Sequence, residues 1–218
     1  MSRIHPTEAA AGCTKRRTTS PPPPSGPTAL TVWKKSSMAF QGTDGFSVFD
    51  GKGRLVFRVD NYSRKNRCMA GGLVLMDGTG RALLTLRPQM LSMRKQWNAF
   101  EGDNSSKLFF SMKRRSMVQS SDEVEVFMMS AGSRKRLNNR EPDFTIEGSF
   151  GRRHCKIRSG KGEVVAEISR KRINPAILLS DDVFSLVVGP GYDSELMMAF
   201  VIVMDRICGK PFTPALCS

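Results

Sequence analysis

The residues of this sequence whose types and spacing most clearly indicate a function are basic, and the function that they indicate is anion binding. They form four clusters in the second half of the chain: Lys113-Arg114-Arg115, Arg134-Lys135-Arg136, Arg152-Arg153 and Arg170-Lys171-Arg172. From Lys113 to Arg172 there are fifteen Lys and Arg against eight Asp and Glu, a surplus that is half of the net charge of +14. We take these eleven residues as candidate contacts for anionic phospholipid or phosphoinositide headgroups, with nucleic acid or an acidic protein surface as alternatives.

The strength of such a site depends on how many clusters act together. Each basic residue near an anionic leaflet contributes about 1 kcal/mol, so one cluster of three gives ~3 kcal/mol, which is weaker than millimolar binding. Membrane binding therefore requires two or three clusters on one face. The competing interpretation is that the clusters are solvated strand ends and loops.

Nucleic acid is the less favoured partner. Basic clusters also serve as nuclear localisation signals or contact DNA. Binders of single strands interleave aromatic residues with such charges, whereas Phe109 and Phe110 fall on an apolar strand pattern. We likewise interpret Trp33 and Trp97 as packing residues.

The inventory for catalysis is small. The histidines are His5 and His154, and His154-Cys155 has the residue types of a base and a nucleophile. Neighbours on a strand point to opposite faces, however. Asp181-Asp182 precedes a strand pattern, where turn and capping roles are commoner than acid–base catalysis. The sequence contains no Walker loop, HExxH or GxSxG, so we expect a binding module rather than an enzyme, with no cofactor and no metal.

The cysteines and the chain ends predict a compartment. Five cysteines without a CxxC pair indicate neither a disulfide framework nor a zinc site. No apolar secretory run is present near the N-terminus, and neither end has a lipidation motif. We expect a monomer in the cytoplasm, with residence at the plasma-membrane surface or in the nucleus left open.

The chain divides into a tail and one domain. Residues 1–28 contain Lys15-Arg16-Arg17 and four consecutive prolines, so they are predicted to be a disordered basic tail. Residues 29–218 are predicted to form a single domain. Twelve short apolar runs, cut by Gly, Asp, Asn and Ser, predict twelve strands between Leu30 and Val188.

One turn recurs three times, in the segments Asp50–Leu55, Asp77–Ala82 and Ser159–Val164. Its glycines supply the positive φ of tight hairpins, and Asp or Ser at its start can bond the backbone beyond. A calcium loop is disfavoured because Lys52 and Arg54 occupy ligand positions, and a phosphate loop because a strand pattern follows.

Alternation after each of these turns predicts a half-buried antiparallel strand. The first, third and fifth residues of each strand are expected to face the core: Leu55, Phe57, Val59, Ala82, Leu84, Leu86, Val164, Ala166 and Ile168.

A helix is predicted over about residues 193–207. Its middle, Leu196–Met204, is apolar on every side and must be surrounded by apolar material. Nine residues at a rise of ~1.5 Å span roughly 13 Å, against a bilayer core of about 30 Å. We therefore expect a core helix inside a closed antiparallel barrel of about twelve strands, with no transmembrane span.

The chain resembles the plant LURP-one-related family. The resemblance is carried by segments that cover nearly the whole chain from Leu30 to Pro211, with a further match near the N-terminus: Arg3–Pro6, Leu30–Ser36, Val48–Gly53, Val56–Tyr62, Leu75–Gly80 and Asp182–Val188. It implies similarity to the tubby C-terminal domain and phospholipid scramblases, with a twelve-stranded barrel around a buried C-terminal helix. These relatives include membrane-tethered regulators, and the tubby domain binds a phosphoinositide through basic side chains.

The resemblance transfers the architecture, but not a residue-by-residue site. Neither the tubby phosphoinositide motif nor the scramblase calcium segment has a counterpart in this sequence. Two other roles therefore stay open beside lipid binding: a protein-interaction or scaffold domain in plant defence or stress responses, and a nucleic-acid-binding transcription regulator.

Overall fold

The computed structural model describes residues 26–35, 45–60, 72–89, 92, 95–103, 107–116, 122–129, 140–174 and 177–208. These residues form twelve strands followed by one helix. The strands and the helix are β1 (Thr28–Lys35), β2 (Gly45–Phe49), β3 (Leu55–Asp60), β4 (Leu73–Asp77), β5 (Ala82–Pro88), β6 (Trp97–Glu101), β7 (Leu108–Arg114), β8 (Val124–Met128), β9 (Phe144–Ser149), β10 (His154–Ser159), β11 (Val164–Arg170), β12 (Val183–Val188) and α1 (Ser194–Cys208). Residues 1–25 of the predicted tail lie outside this description.

The strands close into a barrel. Each strand pairs antiparallel with the strands before and after it in the chain, and β12 pairs with β1 from Thr28↔Val188 to Trp33↔Val183. Closure pairs both edges of the sheet, which removes a site for aggregation. The predicted twelve-stranded antiparallel barrel is therefore confirmed.

The predicted core helix is also confirmed. The buried residues of α1 occupy every side of the helix: Met197, Met198, Ala199, Phe200, Val201, Ile202, Val203, Met204 and Ile207. The Phe200 ring meets Phe110 of β7 edge-on at 5.0 Å and Phe144 of β9 at 5.5 Å between centroids. The sheet therefore supplies the apolar surroundings that this helix requires. Among the described residues, no helix has the length and apolarity needed to cross a bilayer.

The helix defines two ends of the barrel. We call the end where α1 starts at Ser194 the entry end, and the end where it finishes at Cys208 the exit end. Because consecutive strands alternate in direction, every odd-numbered strand finishes at the exit end.

Polar contacts hold α1 at both ends. At the entry end the Asp193 carboxylate accepts a hydrogen bond from the backbone N–H of Glu195 at 2.8 Å, as an N-cap does. At the exit end Lys34 of β1 pairs with Asp205 at 2.8 Å, and the Lys95 ammonium donates to the Ile207 carbonyl at 3.5 Å. Cations at a helix C-terminus are favourable because the last carbonyls carry partial negative charge.

The recurring turns are hairpins, as predicted. In the first turn the backbone N–H of Gly53 donates to the Asp50 carbonyl at 3.0 Å, and the other two turns make the equivalent bond. The second glycine of each turn has positive φ: Gly53, Gly80 and Gly162. This conformation is one that residues with a side chain rarely adopt.

The side chain of the residue at the start of the turn bonds the backbone in the first two copies but not in the third. The Asp77 carboxylate accepts bonds from the Thr79 hydroxyl at 2.6 Å and the Arg81 backbone N–H at 3.0 Å, and these bonds lower its pKa to about 2. Asp50 bonds the backbone in the same way. The Ser159 hydroxyl is buried without a partner among the described residues, so the predicted role is wrong for Ser159.

A β-bulge follows each of these turns, so the predicted alternation is wrong at the start of each strand. The pairing passes from Val48↔Phe57 to Phe49↔Leu55, which leaves one extra residue on β3, and β5 and β11 start with the same shift. The bulge interrupts the period of two, so Leu55 and Val164 are exposed instead of facing the core. From Val59, Leu84 and Ala166 onward the prediction of buried residues holds.

The central packing contact gives a stability prediction. Phe200→Ala leaves a cavity between α1 and two barrel phenylalanines, and we expect it to cost about 3–5 kcal/mol in the free energy of unfolding, measured by urea titration. Val187→Ala, an exposed position on β12, is the control, with an expected cost of about 1 kcal/mol or less. Equal costs for the two variants would contradict an enclosed helix.

The entry end gives a pH prediction. Burial, reinforced by the nearby Asp193 charge, raises the pKa of Glu195 from 4.5 to about 7. The folded state therefore holds a proton that the unfolded chain releases, so this contribution to stability is complete below pH 4.5 and is lost as the pH rises through 7. Glu195→Gln should stabilise the protein at pH 8 by about 1 kcal/mol, a figure reduced for solvent screening, and the gain should vanish below pH 4.5.

Thermal unfolding across this pH range measures the effect. Glu141→Gln removes an exposed carboxylate at the same end and serves as the control. A gain for Glu195→Gln that is independent of pH would rule out a proton held at this position.

Candidate anion-binding site

Three of the four predicted basic clusters lie at the exit end of the barrel. Lys113-Arg114-Arg115 closes β7, Arg152-Arg153 joins β9 to β10, and Arg170-Lys171-Arg172 closes β11. All three follow odd-numbered strands and so share one end. The fourth cluster, Arg134-Lys135-Arg136, lies outside the described residues, and the strand ends that flank it, Met128 and Phe144, are at the entry end.

The two ends differ in charge. We compared the described side chains of the connections, of the two strand residues beside each connection and of the terminal helical turn. The exit end has twelve basic residues and six acidic ones. The basic residues are Lys34, Arg87, Lys95, Lys113, Arg114, Arg115, Arg152, Arg153, Arg170, Lys171, Arg172 and Arg206, and the acidic residues are Asp122, Glu123, Glu125, Asp181, Asp182 and Asp205. The entry end has seven basic residues and nine acidic ones. The basic residues are Lys52, Arg54, Arg81, Lys107, Arg140, Arg158 and Lys161, and the acidic residues are Asp50, Asp77, Glu101, Asp103, Glu141, Asp143, Glu163, Asp193 and Glu195. Within the described part of the chain, the positive surplus thus lies at the exit end.

Arg153 is a structural residue rather than a surface contact. Its guanidinium lies between the Phe150 and Phe184 rings, 4.5 and 4.3 Å from their centroids, and donates from Nε to the Asp181 carbonyl at 2.8 Å. The side chain is buried, and this burial lowers its pKa, opposed mainly by the charge of Asp205. The residue also has a positive φ of 52°. Arg153 therefore anchors the β9–β10 turn to the start of β12.

The β7 cluster is largely occupied by local contacts. Lys113 is buried with its ammonium over the Phe127 ring at 4.7 Å and 3.9 Å from Glu125. Arg114 pairs with Asp122 at 3.4 Å. These two cations therefore bind residues of their own β7–β8 hairpin. For them the structure favours the interpretation of the cluster as a strand end with local contacts, although the side chains are partly buried rather than solvated.

Two other cations are paired but exposed. Arg115 lies 3.5 Å from Glu123, and Arg170 lies 2.7 Å from Asp181. Ion pairs at exposed positions contribute little, so these side chains can exchange their carboxylate for an external anion at small cost.

Arg152 and Lys171 are the most available cations. Neither side chain makes a hydrogen bond or ion pair with any described residue, and Arg152 is exposed. Arg172 is exposed, directly follows Lys171 and belongs to the connection that links β11 to β12. The eleven predicted residues are therefore not equivalent, and among the described ones Arg152 and the cluster Arg170-Lys171-Arg172 carry most of the accessible charge.

The same end exposes apolar side chains that the sequence interpretation missed. Trp97 is buried, but Trp33 of β1 is 50% exposed, so its predicted packing role is wrong. The signal was available, because Trp33 has the parity of Thr31 on a strand whose buried residues are Leu30 and Val32. The β11–β12 connection adds three exposed aliphatic residues, Ile173, Ile177 and Leu178.

The candidate nucleophile is not poised for reaction. His154 is exposed and Cys155 is buried, which confirms that they point to opposite faces. Burial, with a contribution from the Asp122 charge, raises the pKa of both Cys155 and Cys208 to about 12. Both groups are therefore thiols and not nucleophilic thiolates at neutral pH.

Adjacent arginines give a matched test of these assignments. Arg153→Ala removes a stacked, buried guanidinium, and we expect it to cost about 2–4 kcal/mol in the free energy of unfolding. Arg152→Ala removes the same charge from an exposed side chain and should change stability by less than about 0.5 kcal/mol. Similar values for the two variants in chemical denaturation would contradict the structural role of Arg153.

Comparison with known proteins agrees with this architecture. The sequence model of the LURP-one-related family matches residues 28–205. The chain is 41% identical to Protein LURP-one-related 5 of Arabidopsis thaliana, with 83% of each chain covered, and 36% identical to Protein LURP-one-related 12, with 83% of this chain and 78% of that one covered. An X-ray structure of a protein from Arabidopsis thaliana is similar in fold, with a TM-score of 0.60 and 23% identity over 85% of this chain and 93% of that one. The chain belongs to the LURP-one-related family.

Proposed function

We propose that this protein is a non-enzymatic membrane-binding module that docks on anionic phospholipid surfaces with the exit end of its barrel. The observation that carries the proposal is the convergence of three basic clusters at that end, where described basic residues outnumber acidic ones twelve to six. Convergence is required because a single cluster contributes only ~3 kcal/mol, which is too little for membrane binding.

The size of the surplus is sufficient for reversible binding. Six net charges at about 1 kcal/mol each give roughly 6 kcal/mol, which corresponds to a Kd between millimolar and micromolar. Binding in this range is peripheral and is weakened by salt.

The charge distribution also favours one orientation. The fifteen residues of α1 separate the two ends by about 22 Å at ~1.5 Å per residue, roughly twice the Debye length of about 10 Å. With the exit end on the membrane, the carboxylates of the entry end are screened from the lipid charge. The reverse orientation would place those carboxylates against the anionic surface.

Vesicle co-sedimentation tests the proposal with two variants of equal net charge. Arg152→Glu with Lys171→Glu reverses the two available cations at the exit end, whereas Lys52→Glu with Lys161→Glu reverses two exposed cations at the entry end. On phosphatidylcholine–phosphatidylserine vesicles we expect the exit-end variant to bind at least about tenfold more weakly than the wild type, since its loss exceeds about 1.4 kcal/mol. The entry-end variant should bind nearly as well as the wild type.

Adding phosphatidylinositol bisphosphate to the vesicles separates general charge from headgroup recognition. Wild-type protein that fails to sediment with either type of anionic vesicle at moderate salt would sink the proposal. An equal loss in both variants would show that net charge, and not the exit end, controls binding.

A further inference from the structure

The connection between β11 and β12 presents an apolar tip beside its basic residues. Ile173 is 67% exposed, Ile177 48% and Leu178 39%. Lys171 and Arg172 directly precede these residues in the chain. Exposed aliphatic residues scattered singly are normal on soluble proteins, but three within six residues form a local concentration.

Hydrogen bonds join the described residues of this connection, 171–174 and 177–182. The N–H of Ile173 donates to the Ile177 carbonyl at 3.0 Å, and the N–H of Ile177 donates to the Asn174 side-chain oxygen at 2.8 Å. A β-bridge joins Arg172 to Leu178. The three exposed aliphatic residues thus lie on backbone that is tied by hydrogen bonds on both sides of residues 175–176, and such ties reduce the conformational entropy that binding costs.

Trp33 lies next to the point where the same connection enters β12. It pairs with Val183, the first residue of β12, and the next residue of β1, Lys34, donates its backbone N–H to the Asp182 carbonyl at 2.7 Å. The apolar tip and the exposed indole are therefore displayed at the same end of the barrel, on elements joined by hydrogen bonds. Of the seven large hydrophobic residues exposed in the described part of the chain, these four share the exit end. The other three, Leu55, Val164 and Val187, lie on three different strands at the entry end.

We infer that Trp33, Ile173, Ile177 and Leu178 form a membrane-insertion ridge that penetrates the interfacial region of an anionic bilayer. This inference rests on the proposed function and adds the part of the surface that enters the lipid. The occupant is a bilayer rather than a protein partner because Lys171 and Arg172 directly precede the ridge in the chain and Arg152 lies at the same end of the barrel, and these cations complement anionic headgroups. Tryptophan favours the same interface, where its ring lies in apolar surroundings and its N–H stays near water.

Intrinsic fluorescence reports insertion directly. The chain contains two tryptophans, and Trp97 is buried at 8% exposure while Trp33 is half exposed. Anionic vesicles should shift the emission to shorter wavelength, and brominated lipids in the same vesicles should quench it. Trp33→Phe should abolish both changes, because Trp97 is already in the core.

A pair of variants measures the contribution of the tip. Ile173→Ser with Ile177→Ser removes two exposed aliphatic side chains from the exit end and should weaken vesicle binding about 30-fold, which corresponds to about 2 kcal/mol. Leu55→Ser with Val164→Ser makes the same kind of change at the entry end and should leave vesicle binding unchanged. Unfolding midpoints of both variants control for losses of fold.

The outcomes separate this inference from the proposed function. Wild-type protein that binds anionic vesicles without any Trp33 shift, or whose Ile173 and Ile177 variant binds equally well, overturns the insertion ridge and leaves charge-driven docking intact. Wild-type protein that does not bind anionic vesicles overturns both. A Trp33 shift together with selective loss in the exit-end variant is the result we expect.

Discussion

A helix that is apolar on every side is the constraint on which this structure depends. Residues Met197–Met204 have no polar face, so water must be excluded from the whole circumference of α1 and not from one stripe. A closed sheet does this, and twelve strands surround the helix while satisfying their backbone hydrogen bonds in a continuous ring. Because α1 occupies the lumen, recognition falls to the outer surface and the two ends of the barrel.

The topology then sorts the connections by strand number. In an up-and-down barrel the connections after odd-numbered strands lie at one end and those after even-numbered strands at the other. Every second connection along the sequence therefore lies at the same end of the barrel. The three basic clusters within the described residues follow β7, β9 and β11, whereas the turns after β2 and β4 begin with Asp50 and Asp77. A chain whose basic residues look dispersed in sequence thus acquires a basic end and an end richer in carboxylates.

The sequence predicted the architecture well because local signals agreed with each other: apolar runs, glycine turns and one apolar helix. It did not predict the bulges that expose Leu55 and Val164, since a one-residue slip in pairing leaves no mark on an alternating pattern. Nor did it separate Arg153 from its neighbours, because Phe184 lies far along the chain, on β12, and meets Arg153 only in the folded barrel. Trp33 was the avoidable error, because strand parity already placed it outside.

For the exit end to bind its ligand as proposed, α1 must stay enclosed in the barrel. Hydrogen–deuterium exchange of the full chain, with and without phosphatidylserine-containing vesicles, tests this most directly. Amides of α1 should exchange as slowly as those of the central strands in both conditions, as expected for groups that open only on global unfolding, while the β11–β12 connection gains protection on vesicles. Rapid exchange in α1, or loss of its protection when lipid is added, would contradict a helix held by its own barrel.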